Sequence, residues 1–556
     1  MTGQNSGLAR LMTRLRRWLG GAARDERGAA AVQFVFLAIP LSIMVLGMVD
    51  IGRASLERRQ LQDALDAATL IAARSTAVTD ADLTTVGNAA FLAEVANLNL
   101  GVTGSNSNFV AGANNTVIGA ATVSIAPIIS NLWTNSNTTV TASSTVVRSV
   151  NKLEVALVLD NTGSMNDPLG SGGAKIDALK SASKSLVSTL AAAATRSSDP
   201  NAVKISVVPF SMTVNVGSTY QNAAWITGTQ PSAYGSDLFA TSQNRFTLLS
   251  NLGLSWGGCV ESRPDPYDTQ DTAPTSGTGA TMFVPFFAPD EPDDNVIPEY
   301  WSSNYRDTQH SYYGDIQNNW LKDTGATSSK DWFTRQNVTS KYSASNKSSV
   351  YSGAKTGTDY GPNAGCSVAS LLRLTNLATM SGVNTVNAKL DQMTAGGNTN
   401  IAMGLMWGWH TLSPNAPFGD GAAYATPKTQ KIIVLLTDGD NTNDVYNNPN
   451  ASIYTGYGYI WQGRLRDSNN VSLTTSSSGT DRQAAIDSRE SKTCTNAKNA
   501  GVIIYTIGVG VSSNAKAGLQ ACASSSDKYY DVTASAQLTA VFNTIAGSIQ
   551  NLRISQ

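Results

Sequence analysis

Apolar runs separated by polar or glycine-rich segments are the clearest pattern in the chain. Three of them, at residues 153–159, 431–437 and 502–511, are rich in Val, Ile and Leu. A fourth, V-K-I-S-V-V-P-F at 203–210, also has the composition of a strand. Because strands covered on both faces have this composition, the pattern predicts a Rossmann-like α/β domain. Its sheet should be mostly parallel, with helices on both faces.

Two further segments of this domain show helical periodicity, and a long stretch between them shows none. Apolar side chains recur at helical spacing within 176–190 and 538–552, which predicts two covering helices. From about 218 to 385 the chain is rich in Ser, Asn, Tyr, Trp and Gly, and this is too long for an ordinary loop. We therefore expect the domain to span 151–552, interrupted by an inserted subdomain at about 218–385. The acidic run at 290–294 is expected to be a solvated loop, as acidic loops with Pro commonly are, and Ca²⁺ binding is the alternative.

The N-terminal region has the pattern of a membrane anchor. Residues 29–49 contain no charged side chain, and about 20 such residues span a bilayer as a helix. We expect a transmembrane helix at 28–50, after a basic cytoplasmic tail at 1–27. Residues 1–60 carry nine arginines and four acidic residues, so the positive-inside rule places the N-terminus in the cytoplasm and exports residues 51–556. A cleaved signal peptide is the alternative, but no small-residue cleavage site follows the apolar run cleanly.

A small α+β segment is expected between the anchor and the α/β domain, at 51–150. Residues 56–73 place apolar side chains on one helical face and continue the membrane helix as a stalk. Residues 101–150 alternate short apolar stretches with Thr, Ser and Asn, which indicates strands broken by turns.

Composition and cysteine count narrow the class of protein. The net charge is −1 and only 14% of residues are charged, so a general nucleic-acid-binding surface is not expected. Four cysteines in an exported chain indicate disulfides, with three possible connectivities. Proximity along the chain favours Cys259–Cys366 and Cys494–Cys522. A zinc site is disfavoured because no Cys-x₂-Cys spacing occurs.

Short oxygen-bearing side chains follow two of the predicted strands at the point where each run ends. Asp160, Thr162 and Ser164 come directly after the first run, and Asp438 directly after the run at 431–437. Between them, G-G-N-T-N places Thr399 in a glycine-rich loop ahead of a helical segment. In a doubly wound sheet, ligands bind beyond the carboxyl ends of the strands, where such loops meet. Carboxylates and hydroxyls suit a hard divalent cation, Mg²⁺ above all.

This set of residues resembles the metal-ion-dependent adhesion site of the von Willebrand factor A (vWA) family. The family pattern is Asp-x-Ser-x-Ser, then a distant Thr, then an Asp after a strand; here Thr162 replaces the first serine and keeps its hydroxyl. The resemblance implies one Mg²⁺, with Mn²⁺ or Ca²⁺ as alternatives, held partly through water by Asp160, Thr162, Ser164, Thr399 and Asp438. It also implies an outward position at which an Asp or Glu of a protein partner completes the coordination.

The N-terminal region resembles a second family. D-E-R-G-A-A-A-V-Q-F-V-F-L-A-I-P at 25–40, with M-V-D-I-G-R-A-S-L-E-R-R-Q-L-Q-D at 48–63, is similar to TadE/TadG-like proteins of tight-adherence (Flp) pilus assembly. The segments at 256–264 and 404–418 are similar to the TadG-like proteins. The resemblance implies an exported component anchored in the inner membrane by one helix, with other pilus assembly components as protein partners. The alternative is a cell-surface adhesin that binds host or matrix ligands through the same site.

An enzymatic function is not expected. The sequence has no H-E-x-x-H and no P-loop lysine motif, and its two histidines leave few candidates for a Ser-His-Asp triad. His410 stands between aromatic residues in W-G-W-H-T, which favours a packed histidine. A role as an accessory subunit of an enzyme, as in metal chelatases, is disfavoured by the membrane anchor and by export.

Overall fold

A computed structural model of the chain shows two compact units, residues 1–148 and residues 149–556. The residues that it describes are 26–75, 77, 79–98, 102–112, 116–125, 138–147, 152–170, 173–195, 197, 199–235, 237–239, 242–292, 318–322, 332–355, 360–446 and 448–554.

The first unit packs two helices on a small antiparallel sheet. Its elements are α1 (Glu26–Arg74), α2 (Asp80–Leu98), β1 (Val102–Gly112), β2 (Thr116–Ile125) and β3 (Thr138–Val147). The strands lie in the order β1-β2-β3. Phe109, Val117 and Val140 alternate with exposed neighbours and pack against Leu65 and Phe91 of the helices. The predicted α+β segment is confirmed: buried and exposed residues alternate along β2 and β3, as expected for a sheet with one face covered by helices.

The N-terminal part of α1 is apolar and exposed. Within Gln33–Arg74 an 18-residue window has a mean hydropathy of 2.4, and none of that window is buried. Phe34 and Phe36 are more than 70% exposed. The helix is long and apolar enough to cross a membrane, and it fits membrane anchoring. The basic tail predicted at 1–27 lies, except for Glu26 and Arg27, outside the described residues.

A six-stranded sheet is the centre of the second unit. The strands of this unit are β4 (Lys152–Asp160), β5 (Val203–Phe210), β6 (Val214–Asn215), β7 (Cys259–Val260), β8 (Leu372–Asn376), β9 (Thr429–Thr437), β10 (Val502–Val509) and β11 (Tyr529–Val532). The sheet order is β11-β10-β9-β4-β5-β8, and every neighbouring pair is parallel except β5 and β8. The predicted α/β fold is confirmed, and its four predicted strands are β4, β5, β9 and β10.

Helices cover both faces of this sheet. The helices that the structure describes in this unit are α3 (Lys175–Thr195), α4 (Arg245–Leu252), α5 (Trp332–Asn337), α6 (Met380–Asp391), α7 (Ile401–Leu412), α8 (Gly479–Asn499), α9 (Ser513–Cys522) and α10 (Gln537–Ile554), of which α4 and α5 lie in the insertion. Apolar side chains of α3, α6 and α10 form one core with the strands, and those of α7, α8 and α9 belong to a core that includes the other face. Because both faces are covered, residues 153–160 are buried without exception.

The long insertion packs on the α7 side of the sheet and is held by buried charges. Glu261 is completely buried and contacts Arg245, Arg464 and Tyr454. Arg464 comes from the segment after β9, so this ion-pair cluster joins two distant parts of the chain. The strand β8 lies inside the range 218–385 assigned to the insertion, yet it is an edge strand of the main sheet. Its sequence, L-R-L-T-N, has no continuous apolar run, because all five residues are half-buried.

The expectation of a solvated acidic loop is wrong for the first two residues of the acidic run. Asp290 and Glu291 are at most 1% exposed. Asp290 accepts a backbone hydrogen bond from Trp320 at 2.7 Å and pairs with Lys341 at 2.8 Å. The hydroxyl of Tyr459 donates to Glu291 at 2.7 Å. These carboxylates are buried because the chain supplies partners for them from other segments.

Both predicted disulfides are confirmed. Cys259–Cys366 joins β7 to the segment before β8, with a sequence separation of 107 residues and 5.7 Å between the Cα atoms. Cys494–Cys522 joins α8 to the end of α9, with a separation of 28 residues and a Cα distance of 5.2 Å. Each bridge therefore closes a loop within one unit.

His410 is packed in the core, as the sequence predicts. Its ring is completely buried in α7 and meets the rings of Phe283 and Trp407 edge-on. Its Nδ1 lies 3.6 Å from Oδ1 of Asp271. Burial lowers the pKa of His410 to about 4, more than the neighbouring Asp271 can raise it.

Acid should therefore destabilise the protein through His410. An unfolded histidine has a pKa of about 6.5, so protons bind the unfolded chain first and stability is lost as the pH falls from about 6.5 to 4. His410→Gln removes this titrating group. The free energy of unfolding of the variant minus that of wild type should therefore be about 3 kcal/mol higher at pH 4 than at pH 7. Urea unfolding at the two pH values measures it, and parallel pH curves would contradict it.

Candidate metal site

Two neighbouring parallel strands end at the same edge of the sheet and place two aspartates there. The strand β4 ends at Asp160, and β9 ends at Thr437, directly before Asp438. The strands pair in register, with Leu159 opposite Leu436, so their carboxyl ends coincide. From β4 the chain continues to β5 on one side of the pair, and from β9 it continues to β10 and β11 on the other side. The two aspartates therefore lie at the topological switch point, where doubly wound folds bind ligands.

A chain of hydrogen bonds connects four of the five predicted site residues. The backbone N–H of Thr162 donates to Oδ1 of Asp160 at 2.7 Å. The hydroxyls of Thr162 and Ser164 are 3.1 Å apart, and Ser164 donates to Oδ1 of Asp438 at 2.7 Å. The hydroxyl of Thr437 donates to Oδ2 of Asp160 at 2.6 Å. The oxygens of both predicted turns therefore converge on one small region.

The glycine-rich loop that carries Thr399 is bound to the first turn by its backbone. The N–H of Gly163 donates to the carbonyl of Gly397 at 2.9 Å, and Gly397 has a φ of +80°, which favours glycine. Thr399 is 5% exposed, and its backbone exchanges hydrogen bonds with Thr442. Within the described residues, no hydrogen bond joins the hydroxyl of Thr399 to the other four side chains. The structure thus places the loop of Thr399 against the turn that follows β4. Thr399 is the one predicted site residue whose side chain is outside the series of hydrogen bonds described above.

One charged side chain of the site was not predicted from the sequence. Lys175, the first residue of α3, places its Nζ 2.9 Å from Oδ2 of Asp438 and 3.4 Å from the carbonyl oxygen of Ser164. Its side chain is 11% exposed. A lysine is unusual in the first turn of a helix, where the helix dipole favours acidic residues. That anomaly is the signal in the sequence that could have identified it.

The site carries excess negative charge. Burial, followed by the negative charge of Asp438, raises the pKa of Asp160 to about 6, although hydrogen bonds from Thr437 and Thr162 oppose the shift. Lys175 supplies one positive charge against two carboxylates. A cation near Asp160 would reverse this effect, because opposite charge favours the ionised carboxylate.

The side chains of the site fit a hard cation. They offer two carboxylates and three hydroxyls, all oxygen donors of the kind that Mg²⁺ takes in proteins. Across the described residues, no group of three or more His, Cys, Asp or Glu side chains is placed to hold a metal. The candidate site is of a different kind, because hydroxyls make up most of its donors. The convergence of these oxygen donors at one edge of the sheet is the observation that favours a cation.

Comparison with known proteins connects the N-terminal region to a family. Residues 28–75 match the family model Tad, described as Flp pilus-assembly TadE/G-like. No curated protein matches the chain.

Several solved structures are similar to the chain. The pilus adhesin SpaC from Lactobacillus rhamnosus GG is 12% identical with a TM-score of 0.33, over 80% of this chain and 34% of SpaC. This chain thus spans about a third of the length of SpaC. The vWF domain of the type V pili tip protein Mfa5 from Porphyromonas gingivalis is 12% identical with a TM-score of 0.30, over 73% of this chain and 97% of that domain.

A further similar structure is described with an occupied metal site. It is proximal thread matrix protein 1 from the mussel byssus, with a zinc-occupied MIDAS motif. It is 12% identical with a TM-score of 0.26, over 73% of this chain and 47% of that one. The family match covers the segment at 28–75, and an α/β domain with a mostly parallel six-stranded sheet follows it along the chain.

Proposed function

We propose that the protein is a membrane-anchored, exported component of Flp pilus assembly that binds protein partners through a metal-dependent site. The observation that carries this proposal is the convergence of Asp160, Thr162, Ser164 and Asp438 at the carboxyl edge of the sheet. The TadE/G-like segment supports the connection to pilus assembly. The apolar part of α1 supports the anchor.

In this proposal Asp160, Thr162, Ser164, Thr399 and Asp438 hold one Mg²⁺, with Mn²⁺ or Ca²⁺ as alternatives. Bound there, the ion supplies an electrophilic position for an acidic side chain of the partner. The residues of the chain orient the donors: Thr437 and the backbone of Thr162 fix the carboxylate of Asp160, and Ser164 fixes that of Asp438. Since only two carboxylates are present, the ion keeps a coordination position that the partner's carboxylate can fill.

We further propose that the N-terminus is cytoplasmic and that residues 51–556 lie outside the cytoplasm. The arginine-rich N-terminal region supports this orientation. Two disulfides also support it, because they persist in oxidising compartments.

The proposed role is binding without catalysis. His410 is completely buried, so it has no access to a substrate. Asp160 is also completely buried, and each of its oxygens already accepts a hydrogen bond from the chain. Its position suits the orientation of a cation better than proton transfer to a substrate.

Crosslinking and capture from cell envelopes test the proposed function. The full-length protein should capture another pilus component in the presence of Mg²⁺. EDTA should lower the yield about tenfold or more, because it removes the ion that the partner's carboxylate coordinates. Equal capture in EDTA would contradict a metal-dependent site. Cells that lack the protein should lack pili; normal piliation, together with binding of a host or matrix ligand, would favour the adhesin.

A further inference from the structure

Lys175 occupies a position beside the candidate site that a solvated lysine would not take. Its Nζ donates to Oδ2 of Asp438 at 2.9 Å, while Ser164 donates to Oδ1 of the same carboxylate. Both oxygens of Asp438 are therefore engaged by donors of the chain. The Lys175 side chain is 11% exposed and that of Asp438 is 0% exposed, so this ion pair is shielded from water.

The backbone around Lys175 also holds it in this place. Its N–H donates to the carbonyl of Asp167 at 3.1 Å, and Pro168 forms an antiparallel bridge with Ala174. These contacts close the loop between the first turn and α3. The start of α3 is thereby attached to the turn that carries Ser164, although a helix start disfavours a cation. A specific partner offsets this disadvantage, and that partner is Asp438.

We propose that Lys175 is a resident counter-ion of the metal site, which holds Asp438 in place without metal and weakens the binding of a divalent cation. The inference rests on the proposed metal site. Two carboxylates and one ammonium leave a net charge of −1 for the ion to meet instead of −2. In a partly buried site, repulsion between an ammonium and a nearby divalent cation is enough for a change of about tenfold or more in affinity.

The proposal predicts opposite effects of one substitution on two properties. In Lys175→Met, the affinity of the full-length protein for Mg²⁺ should rise about tenfold or more, because the competing charge is gone. In EDTA the same variant should unfold about 5 °C lower than wild type, because Asp438 stays buried beside Asp160 without its partner. A purely structural lysine would lower stability without raising affinity. Calorimetric titration with Mg²⁺ and thermal unfolding in EDTA measure the two effects.

Three further variants sharpen the test. Lys184 lies on α3, as Lys175 does, and forms an exposed ion pair with Asp391 of α6. Lys184→Met removes the same charge there, and it should leave the Mg²⁺ affinity within about twofold and the unfolding temperature within about 1 °C of wild type. Lys175→Arg keeps the charge and should keep the weaker affinity. If Lys175→Met does not fold, Lys175→Gln serves in its place, since its amide can still donate to Asp438.

The outcomes separate this inference from the proposed function. Equal Mg²⁺ affinity of wild type and a folded neutral variant at Lys175 would overturn the inference alone. No uptake of Mg²⁺ by either protein would overturn it together with the metal site. Tighter Mg²⁺ binding by the variant would support the inference. If the yield of captured partner were then equal with and without EDTA, the proposed metal-dependent partner binding would be contradicted while the inference stood.

Discussion

Replacing Asp160 by alanine should weaken Mg²⁺ binding by about 100-fold or more and leave the α/β domain folded. The carboxylate is one of only two at the site, and its oxygens are positioned by Thr437 and by the backbone of Thr162. The substitution leaves those two donors without an acceptor. It also removes a buried carboxylate whose pKa is raised to about 6, so the two effects on stability oppose each other. The free energy of unfolding should therefore change by less than about 2 kcal/mol.

Calorimetric titration of the full-length protein with Mg²⁺ and with Mn²⁺ measures this effect. Thr162→Ser is the matched control, because it keeps the hydroxyl that meets Ser164 and removes only a methyl group. The control should bind Mg²⁺ within about threefold of wild type. Equal heats from wild type and Asp160→Ala would show that the ion binds elsewhere. No heat from wild type would leave the domain as a scaffold with a vestigial site.

Removing the bridge Cys259–Cys366 by a double substitution to serine should lower the free energy of unfolding of the second unit by about 5 kcal/mol. The bridge closes 107 residues, and the entropy that a cross-link removes from the unfolded chain grows with the logarithm of that number. The bridge Cys494–Cys522 closes 28 residues and should be worth about 3.5 kcal/mol by the same relation. The two double variants thus control for each other, because all four cysteines are buried.

Urea unfolding of both double variants under identical conditions measures the difference. A larger loss from the shorter loop would contradict the entropic argument and indicate that packing around Cys494 decides the effect. Peptide mapping without reduction, on protein extracted from envelopes, gives the necessary reference state. Two closed bridges are expected there, whereas four free thiols would place residues 51–556 on the reducing, cytoplasmic side.

Most of the α/β sheet could be predicted from the sequence, because a strand covered on both faces can carry hardly any polar side chain. The strand β5 was predicted at its observed bounds, 203–210, and β9 ends as predicted at Thr437. The edge strand β8 was not predicted, since half-buried residues tolerate polar neighbours and show no continuous run.

The proximity of the two aspartates was predictable from the topology of the sheet. A strand run that stops at a carboxylate indicates a loop at the edge of the sheet, and the loops that begin at Asp160 and Asp438 do lie together. That these residues hold a metal ion stays a prediction. The disulfides followed from proximity along the chain within an exported protein. Each of these inferences uses local sequence plus one general rule of topology or chemistry.

Only the tertiary structure decided which charges are partners. Lys175 and Asp438 are 263 residues apart, and Glu261 meets Arg464 across 203 residues. Asp290 and Glu291 looked solvated in the sequence but are buried, because distant segments supply their donors. Periodicity records whether a side chain faces the core or water, since burial of apolar groups repeats with the element. It does not record pairing between polar groups, because one ion pair between distant residues leaves no repeating pattern in either segment.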